Sequence, residues 1–301
     1  MTRYLRRRVF LRSGGALLAA AAGGAFTRLA AAAAGLPPVA GGSAAPALAP
    51  VDAPLRQAFA PSGTLRVSIN VGNPLLAASE AGTGRLSGIT VDIAKELARR
   101  LDLPLEMTTV NDAPLSVDAV TGDRADIGFF ALAHGSGGDI RFTAPYLLLL
   151  ANYLVHRDAR FQAPDDVDQP GVRVVVSKGS AYDLFLSGHL RHAELVRVKG
   201  AKAVIAAFAA DPSAVAAGIK TQLAEEAEPL DNVRLIEAPF TQIQQALGIG
   251  ARHGAAAAAW LGVFVDTLLR DGFIRAAVAR HRLTGVVIPT ASGRGAPDAA
   301  S

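Results

Sequence analysis

The side chains best suited to chemistry follow predicted strands. Gly179 and Ser180 occupy a strand-to-helix turn, where backbone N–H groups and a hydroxyl attract an anionic or carbonyl group, unless Ser180 acts only as an N-cap. Asn70 and Asn73 end the first strand and either contact a ligand or satisfy turn backbone groups. Lys220 follows a later strand and either supplies positive charge to a ligand or is solvated. These residue types indicate binding of a small polar molecule.

Signals for catalysis and metal binding are sparse. His134 is the only titratable ring in the glycine-rich loop at 134–139, so it is the candidate general acid or base, with an exposed loop histidine as the alternative. His189 and His192 have no third ligand nearby, which favours a solvated helix face over a zinc site. The sequence has no phosphate-binding loop, dinucleotide fingerprint or cysteine, and we expect neither a cofactor nor a metal.

The elements that position these residues are predicted to alternate between strands and helices. Leu65, Val67 and Ile69 alternate with polar residues, which is the period-2 pattern of a strand. A helix is predicted at 90–101 with Thr90 as its N-cap, and a hairpin-like turn precedes it. Further elements of this half are strands at 105–110 and 127–132 and part of a helix at 116–121. This order predicts a mostly parallel sheet, with ligands beyond its carboxyl edge.

The second half repeats the pattern after a long apolar run at 147–155. Strands are predicted at 172–177 and 194–199, and helices at 181–191 and 201–209. A second crossover is expected near 242–249, followed by two helices within 255–282. This repeated order is compatible with two lobes.

Several segments, in this order and spacing, resemble the family 3 extracellular solute-binding proteins, the amino-acid-type receptors of ABC importers. The central match is ADIGFF at 125–130 followed by FTAPY at 142–146. The others are GTLRVSINVGNP at 63–74, GITVDIAKELARRL at 88–101, DDVDQPGVRVVVSKGSAYDLFL at 165–186 and LLRDGFIRAAVARH at 268–281. The resemblance covers the chain from about residue 63 to residue 281.

This resemblance implies an α/β, two-lobe, type II periplasmic-binding-protein-like fold, each lobe a mostly parallel sheet flanked by helices, with a double-crossover hinge. Lobe 1 is expected at 63–150 plus 246–287, lobe 2 at 151–245 and a loose tail at 288–301. Such receptors close around a ligand by hinge motion, and the importer recognises the closed form.

The ligand site implied by the resemblance is divergent. Ser136 and Ala133 stand where family members carry a carboxylate-binding arginine and a threonine, and Ala214 stands where an acid grips the amino group. Asn70 and Asn73 replace an acid and an aromatic residue, so the pocket is expected to be neutral and amide-lined. Losing one charge-assisted hydrogen bond costs roughly 1.5 to 3 kcal/mol, which disfavours a zwitterionic amino acid. The expected ligand-binding set is Asn70, Asn73, Ala131, Ala133, Ser136, Gly179, Ser180 and Lys220.

The amino-terminal residues and the charge of the chain bear on its localisation and its partners. Residues 1–34 contain six arginines and no acidic residue, and RRRVFLR at 6–12 resembles a twin-arginine export signal. The full chain has 301 residues, and outside residues 1–34 its net charge is slightly negative. It also lacks a basic stripe, so we expect no nucleic acid as a partner. Residues 35–62, rich in Ala, Pro and Gly, are expected to be a flexible leader. The absence of cysteine excludes disulfides and a lipoprotein anchor.

We therefore expect a monomeric periplasmic substrate-binding component of an ABC transporter. Its ligand is a small polar solute, an amino acid or a related organic acid or amide, and its partner is the membrane permease of the importer. Two alternatives remain open. One is a periplasmic accessory or sensor protein of a redox system, and the other is a dehydratase-like enzyme with His134, Lys178 and Lys220 as candidate groups.

Overall fold

The computed structural model describes residues 47–132 and 138–291. Its helices are α1 (Ala53–Phe59), α2 (Ile89–Leu101), α3 (Ala113–Thr121), α4 (Ala181–His189), α5 (Ala201–Ala209), α6 (Lys220–Glu226), α7 (Gly254–Arg270) and α8 (Phe273–Arg280). Its strands are β1 (Leu65–Asn70), β2 (Ala78–Ser79), β3 (Leu86–Ser87), β4 (Leu105–Val110), β5 (Ile127–Ala131), β6 (Ile140–Phe142), β7 (Leu147–His156), β8 (Arg173–Ser177), β9 (Glu194–Val198), β10 (Ala214–Ile219), β11 (Val233–Leu235), β12 (Thr241–Gly250) and β13 (Val286–Val287).

One continuous sheet joins two groups of parallel strands. The order along it is β4-β1-β5-β12-β7-β10-β8-β9, with β6, β11 and β13 beside this path. Lobe 1 contains the parallel strands β4, β1 and β5, and lobe 2 contains the parallel strands β10, β8 and β9. The long strands β7 and β12 pair with each other between them and are antiparallel to their lobe neighbours. The predicted two-lobe α/β fold is thereby confirmed.

The hinge is the segment where β7 and β12 pair with each other. Their register runs from Leu147 opposite Gln245 to Ala151 opposite Thr241. A third strand, β13, adds to this ribbon because Val286 pairs with Leu149. The predicted lobe boundaries, 150/151 and 245/246, lie at this ribbon.

The apolar core follows the sheet through the hinge. One cluster of buried residues includes Leu97 of α2, Phe264 of α7, Leu149 of the hinge, and Leu186 of α4. A second cluster lies between β10 and α5 around Phe208, and a third lies under α3 around Phe130. Helices therefore cover both faces of the sheet, which explains why β10 is buried along its whole length.

Two sequence-based expectations need correction. The N-cap of α2 is Gly88, whose φ of 125° suits glycine alone, and the Thr90 hydroxyl instead donates to the Leu76 carbonyl at 3.2 Å. Residues 35–62 were expected to be flexible, but α1 lies within this range and packs on lobe 1. Phe59 is fully buried and meets the Trp260 ring edge-on at 5.5 Å between centroids. The predicted signal at 1–34 lies outside the described residues.

Across residues 47–132 and 138–291, every helix is too short or too polar to cross a bilayer.

Candidate functional site

The carboxyl ends of the strands in the two lobes point toward each other along the hinge. Ala131, which ends β5, lies opposite Gln245 of β12, and Gln245 pairs in turn with Leu147 of β7. Ile219, which ends β10, pairs with Ala151 of β7. Because β5 and β10 run inward from opposite directions, their ends are separated along β7 by about 13 Å at about 3.3 Å per residue. This interval is the candidate cleft.

The Asn70 side chain serves the turn that follows β1. Its Oδ1 accepts a hydrogen bond from the Gly72 backbone N–H at 2.9 Å, within a tight turn where a Cβ on Gly72 would lie 1.9 Å from the Asn111 carbonyl oxygen. Asn70 therefore stabilises the turn that follows β1 in lobe 1. Its two amide N–H groups make no hydrogen bond to another described residue, and they remain available to a ligand.

Asn73 connects the two lobes. Its Oδ1 accepts a hydrogen bond from Nε2 of Gln222 at 3.1 Å, and these residues lie 149 positions apart in the chain. Asn73 belongs to the loop after β1 in lobe 1, whereas Gln222 belongs to the first turn of α6 in lobe 2. Both side chains are half-buried. The lobes therefore touch across the candidate cleft through a pair of neutral amides.

The Gly179–Ser180 turn is occupied by its own chain. The Gly179 N–H donates to Oδ2 of Asp183 at 2.8 Å, and the Ser180 hydroxyl accepts from the Asp183 N–H at 3.1 Å as the N-cap of α4. Asp183 is buried and also pairs with Arg197 at 2.9 Å. The Tyr182 hydroxyl adds contacts to Ser177 and Ser180, and burial raises the pKa of Tyr182. An external anion would have to displace an internal carboxylate from this turn.

Lys220 lies at the carboxyl end of β10, as its predicted role requires, but its charge has a partner. Its Nζ lies 3.3 Å from Oε2 of Glu237, on the segment that leads into β12. Glu237 is almost fully exposed at 89%, so this pair is weak in water. The amino-terminal end of β10 is the position of Ala214, which is buried at the opposite edge of the sheet from Lys220.

The remaining predicted residues divide between the described part and residues 133–137. Ala131 lies half-buried at the end of β5. Ala133, Ser136 and His134 lie outside the described residues. Arg141, beside Phe142 of the FTAPY segment and not in the expected ligand-binding set, is exposed on β6 opposite Ile249, at the level of the amino-terminal end of β5, and thus lies away from the cleft.

Sequence reasoning missed two residues that join the lobes. Gln222 was not singled out, although it lies two positions after Lys220 at the predicted strand-to-helix turn. Thr221, next to it, donates from its hydroxyl to the Thr284 carbonyl at 2.7 Å. The strand-to-helix position was a usable signal for both, but their partners are remote in sequence and become neighbours only in the folded chain.

Two cavities border lobe 2. One, bordered by Tyr182, Gly218 and Gln222 among others, has a volume of about 10 Å³, which is room for about one water molecule. The other is an open depression of about 320 Å³ at the amino-terminal ends of β8 and β10, bordered by Phe161 and Pro212. The first is too small for a solute, and the second lies at the edge of lobe 2 remote from the facing strand ends.

Within residues 47–132 and 138–291, no three His, Asp or Glu side chains converge in a way that would hold a metal ion. The principal buried charge is Asp126, at the start of β5, whose carboxylate accepts from the Arg66 backbone N–H at 2.9 Å and from Arg66 Nη2 at 2.6 Å. This pair lies at the amino-terminal edge of lobe 1 and stabilises the lobe rather than the cleft.

Comparison with known proteins agrees with this geometry. No protein-family model matches the sequence, and no curated protein matches it. Solved structures do match. The putative binding component of an ABC transporter from Wolinella succinogenes, complexed with lysine, is 15% identical with a TM-score of 0.63, over 73% of this chain and 95% of that chain.

Two further structures extend the comparison. An amino acid ABC transporter substrate-binding protein from Streptococcus pneumoniae, bound to L-arginine, is 16% identical with a TM-score of 0.60, over 75% of this chain and 97% of that chain. The ancestral amino-acid-binding protein AncCDT-1, described as a precursor of cyclohexadienyl dehydratase, is 18% identical with a TM-score of 0.60, over 75% and 98%. At these identities the comparison establishes the fold: this chain has the two-lobe fold of amino-acid-type solute-binding proteins.

Proposed function

We propose that this chain is the solute-binding component of an ABC importer, which captures a small polar solute between its lobes. The observation that carries the proposal is the convergence of the strand ends of both lobes on the hinge strands β7 and β12, bridged by Asn73 and Gln222. Ligands of open α/β sheets bind beyond such strand ends. The neighbours of the same fold include transporter components with lysine or arginine bound.

The proposed mechanism is a shift between open and closed lobes. A ligand that contacts both lobes binds the closed form more tightly than the open form. The equilibrium shifts toward the closed form by the difference between these two binding free energies. Bending is expected at the hinge ribbon, where β7 and β12 are paired only over Leu147–Ala151 and Thr241–Gln245. The proposed partner that recognises the closed form is the permease of the importer. The arginine-rich residues 1–34 support delivery of the protein to the periplasm.

A ligand screen with the purified full chain tests the proposal. Binding at a hundredfold excess over Kd raises the free energy of unfolding by about 2.7 kcal/mol, which a thermal-shift assay detects. We expect one chemical class of small solute to give this shift and to reduce the radius of gyration in small-angle X-ray scattering. A folded protein that responds to no amino acid, organic acid, polyamine, amide or sugar contradicts the proposal.

A further inference from the structure

The cleft contacts that join the lobes are uncharged. Asn73 and Gln222 share one hydrogen bond, in which Gln222 Nε2 donates and Asn73 Oδ1 accepts at 3.1 Å. Each amide has more capacity than this bond uses, because a carboxamide offers two donors and an acceptor with two lone pairs. The Asn73 amide N–H groups and the Gln222 Oε1 have no other partner among the described residues. At their contact, these two side chains thus offer hydrogen-bond donors and acceptors from opposite lobes.

Two groups at the strand ends of lobe 2 that could bind an anion already have acidic partners. Lys220, two residues before Gln222, is paired with Glu237 at 3.3 Å. The backbone N–H of Gly179 is taken by the Asp183 carboxylate at 2.8 Å, and that carboxylate is itself paired with Arg197. An anionic ligand would compete with Asp183 for the Gly179 N–H and with the exposed Glu237 for Lys220, a pair that is weak in water, and burying an unpaired charge is costly.

The loop between β5 and β6 contains one fixed charge in its sequence, Asp139. Asp139 precedes Ile140, which pairs with Gly250 of β12 at the level of the amino-terminal end of β5, away from the cleft. Lys178, in the turn after β8, is exposed and makes no ion pair with a described residue. It is one strand farther from the hinge than Lys220, because β8 lies beyond β10 in the sheet. The alternative hypothesis is therefore that Lys178 binds an anionic ligand, and the experiment must distinguish this from binding of an uncharged ligand.

We infer that the ligand is an uncharged solute rich in hydroxyl or amide groups, and that Asn73 and Gln222 determine this specificity by binding it from the two lobes. The inference rests on the proposed solute-binding function and narrows its ligand. Amides recognise hydroxyl and amide groups well because each supplies both a donor and an acceptor at fixed spacing. A ligand that bonds to both side chains makes contacts that exist only when the lobes are closed.

The test is isothermal titration of the full chain with two sets of probes. The neutral set is D-glucose, D-ribose, myo-inositol and nicotinamide, and the charged set is L-arginine, L-lysine, L-glutamate and succinate. We expect saturable binding from the neutral set, weakened about threefold to tenfold by Asn73→Ala and by Gln222→Ala, since each loses one neutral hydrogen bond. Gln57→Ala, an exposed glutamine on α1, is the matched control and should bind as the wild type does.

The outcomes separate this inference from the proposed function. Tight binding of a charged probe, or binding that disappears in Lys178→Met, overturns the neutral ligand but leaves the solute-binding function standing. Neutral binding that is unchanged in both Asn73→Ala and Gln222→Ala overturns the assignment of these residues. Lack of binding by either set, in a protein whose thermal unfolding is cooperative, counts against the solute-binding function itself.

Discussion

Among single residues, His253 and Asp126 form a buried pair at the amino-terminal edge of lobe 1. His253 is buried, and its Nδ1 lies 2.7 Å from the Ala58 carbonyl oxygen, so the nitrogen must carry a proton and donate it. Its Nε2 lies 3.4 Å from Oδ1 of Asp126. Burial lowers the pKa of His253, and the neighbouring Arg252 acts in the same direction, whereas Asp126 and Asp123 oppose them.

The lowered pKa of His253 predicts that stability falls at acidic pH. In the unfolded chain a histidine titrates near about 6.5, so below this pH the unfolded state binds a proton that the folded state resists. The stabilisation is fully present above about pH 6.5 and is lost as the pH falls toward the lower folded value. Urea unfolding at pH 7.5 and 5.5 should show a smaller pH-dependent loss in His253→Gln than in the wild type, by up to about 1.4 kcal/mol.

The control for this prediction is His192→Gln, because His192 is exposed in lobe 2. That variant should keep the pH dependence of the wild type. If His253→Gln loses as much stability between the two pH values as the wild type does, His253 is not the group responsible.

At the scale of elements, α1 shows how tertiary contacts create a helix that composition does not indicate. Asp52 caps it through a 2.9 Å hydrogen bond from the Leu55 N–H to its Oδ1, and a proline occupies its first turn. The helix has only 7 residues, too few to be stable alone, so packing must hold it. Phe59 supplies that packing against Trp260, whose Nε1 also donates to the Ala49 carbonyl at 3.0 Å.

Removing the Phe59 ring should therefore destabilise the whole of lobe 1. A fully buried Phe changed to Ala typically costs about 3 to 5 kcal/mol. Trp260 is the only tryptophan, so its fluorescence in a urea titration reports on this contact directly. Gln57→Ala, on the exposed side of the same helix, should stay within about 0.5 kcal/mol of the wild type. An unfolding midpoint of Phe59→Ala equal to that of Gln57→Ala would mean that α1 is not docked.

Most elements were predictable from sequence because their signals are local. The strand at 105–110 and the helix at 201–209 coincide with β4 and α5. The cleft was predictable only in outline. The positions of Asn73 and Lys220 at strand ends follow from the βα order, whereas the bond from Asn73 to Gln222 and the pairing of Asp183 with Gly179 depend on the three-dimensional arrangement of polar side chains. Sequence periodicity contains no information about such partners.

At the scale of the whole molecule, the carboxyl-terminal segment touches lobe 2 beside the hinge. Gly285 precedes β13 and has a φ of 63°, and a Cβ at this position would lie 2.7 Å from the Thr221 hydroxyl oxygen. The Leu150 N–H donates to the Gly285 carbonyl at 3.0 Å, which fixes this glycine against the hinge strand β7. The start of α6 and the third hinge strand therefore approach each other closely only because residue 285 lacks a side chain.

Gly285→Ala should destabilise the contact between α6 and the segment before β13, in addition to straining the backbone. The left-handed conformation alone costs about 1 to 2 kcal/mol for an L-residue. Gly84→Ala is the matched control, because Gly84 has a φ of 66° and no atom within 4 Å of its Cβ position. We expect Gly285→Ala to lose more unfolding free energy than Gly84→Ala and to have the larger radius of gyration in X-ray scattering. The difference in unfolding free energy between the two glycine variants should shrink when Thr221→Ala is added to Gly285→Ala, since the clashing oxygen is then absent. An equal loss in both glycine variants would show that the two lobes are not in tight contact at Gly285.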